Sequence, residues 1–288
     1  MGGIRSVFGG FDSHTLPPVF TYHLLTTFLD SRRDGLSVRT IDFYRTYLTL
    51  SKDILYPGVT GLQIGEFLKS LKCSSGGKHA YYRVLRAFFN WLYSPKSGYT
   101  LNPQGNPMLA IEAPKLEKRI LPSLTLEQLN YLIEHADTLR DKAIISLFAD
   151  SGLRLTELTN IKTYDIIWQH KLIKVMCKGG KEGYAPFGQR TEKLLKEWLS
   201  QYNPEDGNIW GLNRWGIVDM LNRLRTTTGI PCNAHTFRRT FASILAKKGI
   251  DSLHIMRLGR WESIQMVERY TRSVKFNDSL KLYNPIMD

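Results

Sequence analysis

Residues 94–122 carry several prolines and glycines and no convincing hydrophobic period, and they interrupt a chain patterned for helices on both sides. Such a break favours two packing units over one continuous core, and 288 residues suffice for two at roughly 100–200 residues each. Before the break, LPPVFTYHLLTTFLDSRRDG places apolar residues at helical spacing from Pro17-Pro18 to Gly35. Ser37 then caps a second helix that runs toward Pro57-Gly58, and Thr60 opens a short third one. A Ser-Ser-Gly-Gly turn at 74–77 precedes KHAYYRVLRAFFNWLY, whose Leu85, Phe88, Phe89 and Leu92 form one apolar stripe. Lys78, Arg83, Arg86 and Asn90 lie largely off that stripe.

After the break, Ser123 and Thr125 introduce a helix through TLEQLNYLIEHAD. RDKAIISLFADSG reads as a buried helix closed by Gly152, and LTELTNIKTYDI as the next. KLIKVM and EGYAPF predict two strands joined by the tight CKGGK turn, and from TEKLLKEWL the helical period returns. No stretch approaches the ~18 consecutive apolar residues of a membrane span, and MGGIRSVFGGFDSH shows no secretory signal. Cys73, Cys177 and Cys232 stand far apart and odd in number, which suits reduced thiols in a cytoplasmic protein.

Charge points toward a polyanion. Lysine and arginine total 39 against 26 acidic residues, a net of +13. The excess runs along the whole chain, with 14 basic against 8 acidic residues in 1–118 and 25 against 18 in 119–288. Neutralising phosphates releases condensed counterions, so a chain of this balance suits nucleic acid. A Walker loop, a dinucleotide fingerprint and a His/Cys ligand spacing are all absent from the sequence, and no metal or other cofactor is expected.

Four segments carry the chemistry: SGLRLTEL (151–158), VMCKGGKEG (175–183), HTFRRTFASILAKKG (235–249) and LGRWESIQMVERY (258–270). In this order they resemble the tyrosine recombinase family of phage integrases and Xer-like site-specific recombinases, over residues 18 to 275. The resemblance implies a catalytic set of Arg154, Lys178, His235, Arg238, Trp261 and Tyr270. Two positions depart from the usual pattern. Cys177 stands where a hairpin Gly is common, and Trp261 where many members have His. An indole offers one N–H and no acceptor, so Trp261 can bind a phosphate oxygen but cannot shuttle protons. Arg260 falls one residue out of register with that position.

The chemistry suits these residue types. A phosphodiester resists attack because its non-bridging oxygens are anionic and gain charge in the transition state. Two planar guanidiniums on separate helices, Arg154 and Arg238, can hold those oxygens by charge-assisted bonds, with Glu157 one turn on to orient Arg154. Tyr270 is the expected nucleophile, and Tyr283 has no matching surroundings. His235 titrates near neutrality and can assist the proton transfer from a phenol with an ordinary pKa near ~10. Lys178 is the expected general acid toward the leaving 5′ oxygen, with Lys181 as its competitor.

The expected fold is mainly α: a helical core-binding domain over 14–95, a linker over 96–119, and a mostly helical catalytic domain with a small antiparallel sheet over 120–288, including a tail from 271. Arg39, Lys78, Arg83 and Lys181 are the expected DNA contacts. The resemblance implies double-stranded DNA with specific recombination sites as partner, and a homotetramer on DNA that is monomeric or weakly associated without it. It also implies strand exchange through a Holliday junction and a cytoplasmic, nucleoid-associated protein without membrane contact. The chain reads as a compact form lacking an extra arm-binding domain, whose tail packs on its own domain or on a neighbour. Two rival functions remain: strand relaxation of the type IB topoisomerase kind, and a DNA-binding architectural protein with an idle site.

Overall fold

The computed structural model describes residues 18–116, 122–177, 179–272 and 274–283. The chain divides into two compact units, Met1–Lys118 and Arg119–Asp288. The first holds α1 (Pro18–Asp30), α2 (Val38–Thr49), α3 (Gly61–Ser70) and α4 (Ser75–Leu92). Short polar side chains start three of them by accepting from otherwise unpaired N–H groups: Ser37 from Thr40, Thr60 in a reciprocal box with Gln63, and Ser74 from Gly77. The Ser-Ser-Gly-Gly segment is therefore not a separate turn. With Ser74 as cap, Ser75, Gly76 and Gly77 form the first turn of α4. The apolar stripe of α4 is fully buried at Leu85, Phe88, Phe89 and Leu92. Phe28 meets Phe88 and Trp91 edge-on at centroid distances of 5.6 and 5.4 Å.

Much of the segment expected as a linker is built into this unit. Prolines start 3₁₀ turns at Pro95–Ser97, Pro103–Gly105 and Pro107–Ala110, and Asn102 and Asn106 cap the last two. Met108 enters the aromatic core, and the Tyr82 hydroxyl donates to the Ile111 carbonyl at 3.3 Å. Isolated 3₁₀ turns bury apolar side chains without a regular period, so the sequence pattern does not show them.

The second unit holds α5 (Leu126–Glu134), α6 (Leu139–Ser151), α7 (Leu155–Thr159), β1 (Ile166–Ile167), β2 (Leu172–Met176), β3 (Glu182–Pro186), α8 (Gln189–Gln201), α9 (Arg214–Thr228), α10 (Ala234–Lys247), α11 (Ser252–Leu258), α12 (Ile264–Thr271) and α13 (Phe276–Leu280). The strands make one antiparallel sheet in the order β1-β2-β3, and the β2–β3 hairpin pairs Val175 with Gly183 and Met176 with Glu182. Its turn places Gly179 and Gly180 at φ of +83° and +75°, a conformation glycine enters at no steric cost. The helix expected from residue 155 stops at Thr159, because Asn208 Nδ2 takes the Thr159 carbonyl at 2.9 Å. Backbone bonds to Gly207 and Ile209 then hold the chain in extended form.

Helix α6 runs through the main core, with Ile144, Ile145, Leu147 and Phe148 buried and Phe148 stacked on Phe237 at 5.5 Å. A smaller cluster of Phe241, Ala242, Ile255, Trp261 and Val267 seats α11 and α12 on α10. Among the described residues no helix is long and apolar enough to cross a membrane.

Candidate active site

Gly152 ends α6 in the left-handed region at φ +56°, and a Cβ there would stand 2.7 Å from the Phe241 ring. This close approach turns the chain so that Leu153 is buried and Arg154 begins α7. The Arg154 backbone N–H donates to Glu157 Oε2 at 2.9 Å, while its Nη1 donates to Glu157 Oε1 at 2.6 Å. One carboxylate thus caps the helix and aims the guanidinium. Burial tends to raise the Glu157 pKa, but the bonds from Arg154 and the charges of Arg260 and Arg154 outweigh it and hold the carboxyl below its ordinary value.

Arg238, on α10, approaches from the other side. It is buried and donates through Nη1 to the Gly152 carbonyl and through Nη2 to the Gly259 carbonyl. The next carbonyl, that of Arg260, accepts from Arg154 Nη2 at 3.1 Å. Successive peptide oxygens of the Leu-Gly-Arg-Trp turn are therefore held by guanidiniums from two helices. The Arg238 guanidinium carbon lies 4.2 Å from the centroid of the Trp261 ring. Burial first, and then the positive charge of Arg154, bring the Arg238 pKa down to about 9. Glu157 is the carboxylate that opposes this shift, so the cluster is rich in positive charge for an enclosed place.

His235 stands at the exposed start of the same helix, one turn before Arg238. Its pKa is lowered, chiefly by desolvation from surrounding protein and then by the charges of Arg239, Arg238 and Arg154. The imidazole is thereby kept neutral near pH 7 and able to accept a proton. Trp261 is 5% exposed, and its indole N–H is buried without an acceptor among the described residues. The Tyr270 ring, on α12, lies 5.7 Å from the Trp261 ring, and the phenol is within electrostatic reach of Arg238 and Arg239. Arg154, His235, Arg238, Trp261 and Tyr270 thus gather in one region of a single chain.

Lys178 lies outside the described residues. Lys181 is exposed at the hairpin turn, where its carbonyl accepts from the Cys177 N–H at 2.7 Å. In the first unit Arg39 and Arg83 are exposed on α2 and α4, as a surface contact requires. The Lys78 ammonium donates to the Lys69 carbonyl at 2.9 Å, in the last turn of α3. Two residues at the site are not evident from the sequence motifs. Arg239 donates to the Pro122 carbonyl and to Thr236 Oγ1, and Arg260 is buried against Glu157. Arg260 adopts φ +57°, a value no motif announces for an arginine. Among the described residues no three His, Cys, Asp or Glu side chains gather as a metal site would require.

The profile of the Phage integrase family matches residues 122–276, which include every segment of this site. The chain belongs to the phage integrase family. That places it among the tyrosine recombinases, site-specific recombinases that break and rejoin DNA. It is 26% identical to tyrosine recombinase XerD of Listeria monocytogenes over 87% of this chain and 94% of the relative. It is 28% identical to tyrosine recombinase XerC of Oceanobacillus iheyensis, over 82% and 86%. A lambda integrase dimer bound to a COC′ core site shares the fold, with a TM-score of 0.71 at 16% identity over 88% of this chain and 97% of that one.

Proposed function

We propose that this recombinase cuts one DNA strand by attack of the Tyr270 hydroxyl on a phosphodiester, forming a 3′-phosphotyrosine and releasing a 5′ hydroxyl. Arg154 and Arg238 hold the non-bridging oxygens, and the Trp261 N–H donates to one of them. Neutral His235 accepts the phenolic proton as the O–P bond forms, and Lys178 gives a proton to the departing 5′ oxygen. Attack by a 5′ hydroxyl from a partner strand reverses the step and reseals the backbone. The bond energy stays in the phosphotyrosine throughout. The observation that carries this reading is the convergence of the two guanidiniums, from α7 and α10, on the Gly259-Arg260 backbone, with Glu157 bonded to Arg154 and the Tyr270 ring 5.7 Å from that of Trp261. Charge arranged in advance for an oxyanion is a large catalytic contribution, on the order of 3–4 kcal/mol for a single donor.

The first unit serves as the core-binding domain on double-stranded DNA, with Arg39 and Arg83 on its contact surface, and the second as the catalytic domain with Lys181 near phosphate. Four protomers act on two specific sites and pass through a Holliday junction, in a nucleoid-associated setting. A pool of nicked duplexes with randomised core sequence tests the reading, because a nick lets the 5′ fragment diffuse away and traps the covalent step. A protease-sensitive adduct is expected, with its DNA on the peptide containing Tyr270 and none formed by Tyr270→Phe. An undiminished adduct from Tyr270→Phe overturns the assignment. Relaxation of supercoiled plasmid without sequence preference points to a swivelase instead.

A further inference from the structure

Arg260 has more partners than the register of the motif suggests. Its side chain is 6% exposed. Nη1 donates to the Tyr184 carbonyl on β3 at 3.1 Å and to the Leu258 carbonyl at 2.8 Å. Nη2 donates to the Ser151 carbonyl at the end of α6 at 3.1 Å and lies 3.5 Å from Glu157 Oε2. The last carbonyls of α6 lack partners within the helix and carry its negative dipole end, so a guanidinium is well matched to them. The stem of Arg260 crosses the hairpin where β3 has no side chain. A Cβ at Gly183 would stand 3.0 Å from Arg260 Cδ and 2.9 Å from Cys177 Sγ. Arg260 therefore fastens the β2–β3 hairpin, beside the residue that precedes Lys178, to the same turn whose carbonyls hold Arg154 and Arg238.

We propose that Arg260 is a positioning residue for the leaving-group step: it fixes the β2–β3 hairpin relative to the turn whose carbonyls hold Arg154 and Arg238. This rests on the reading of Lys178 as the general acid. In that step the Tyr270 oxygen–phosphorus bond forms, the phosphorus–O5′ bond breaks, and a lysine ammonium proton moves to O5′. Without Arg260 the Glu157–Arg154 pair remains, while the hairpin loses its tie through Tyr184. A lysine at 260 keeps the charge but lacks the planar fork that reaches several carbonyls at once.

The test compares two substrates, an ordinary phosphodiester and one with sulfur in place of the bridging 5′ oxygen. A thiolate departs without a proton, so the sulfur substrate bypasses the general acid. On the ordinary substrate Arg260→Lys and Arg260→Gln are expected to cleave on the order of 10–100-fold more slowly, the scale of a displacement near 1 Å. On the sulfur substrate they should approach the parent rate, as should Lys178→Ala. Gly183→Ala, which disturbs the same contact from the hairpin side without touching Glu157 or Arg154, should show a smaller defect with the same rescue. If Lys178→Ala is not rescued, the general-acid reading fails. If Lys178→Ala is rescued while the Arg260 variants and Gly183→Ala remain slow on both substrates, or lose nothing on the ordinary one, the positioning role of Arg260 is overturned.

Discussion

Replacing Glu157 with glutamine removes the carboxylate on which Arg154 and Arg260 converge, while keeping the size of the side chain. Its side chain is 2% exposed, and those of Arg260 and Arg154 are 6% and 25% exposed. Breaking a buried ion pair on one side costs about 3–5 kcal/mol, because the remaining charge is left uncompensated. Here the lower end applies, about 3 kcal/mol, since Arg154 retains water and Arg260 retains three carbonyl acceptors. For a unit of this size that corresponds to a fall in melting temperature of roughly 6–12 °C at pH 7. The pH dependence has a definite sign. Glu157 is held below its ordinary value of 4.5, so its contribution is complete above that value and is lost as pH falls through the lower folded-state value. Melting curves of parent and Glu157→Gln should therefore stay apart at pH 5 and converge only at more acid pH, where the parent carboxyl is itself protonated. A difference under about 2 °C at pH 7, or a more stable variant, would refute the claim that one carboxylate holds this cluster together.

Trp261→Phe keeps a ring under Arg238 but removes a buried N–H that has no acceptor among the described residues. Its thermal stability is expected to stay within about 1 kcal/mol of the parent, since an unpaired buried donor is itself unfavourable. Its cleavage rate should nevertheless fall on the order of 10-fold or more, as for a lost oxyanion donor; an unchanged rate would reduce Trp261 to packing. His235 has a lowered pKa, so it is neutral at pH 7 and gains its proton only as pH drops below the ordinary 6.5. Single-turnover adduct formation should accordingly be flat near neutrality, with an acid limb whose midpoint lies below 6.5 and matches the His235 imidazole titration followed by NMR. A midpoint above 6.5 would contradict this environment.

The local signals in the chain are strong where one residue acts through its own backbone. Ser37, Thr60 and Thr125 are legible as helix starts because a cap bonds within three residues, whereas Ser74 caps α4 inside a Ser-Ser-Gly-Gly run that reads as a turn. Gly152 is legible as a helix end because few other residues enter the left-handed region. The β2–β3 hairpin follows from its alternation and its glycines, and the four motifs in order carry the resemblance. The 3₁₀ turns between 95 and 110 and the early stop of α7 are not legible, since prolines and asparagines read as loop whether or not the loop packs. The use of Lys78 is hidden for a related reason: its acceptor, the Lys69 carbonyl, belongs to another helix.

Sequence alone determined which residue types were present and which short stretches were helical, because caps, periods and turn glycines act over a few bonds. Only the tertiary structure decided that Arg238 reaches Gly152 and Gly259, that Arg260 is buried between α6, β3 and Glu157, and that Trp261 offers its face to Arg238 and buries its N–H. Those contacts join positions as far apart as 109 residues. They depend on which desolvated charges find partners across the core, and that balance exists only once the elements have packed.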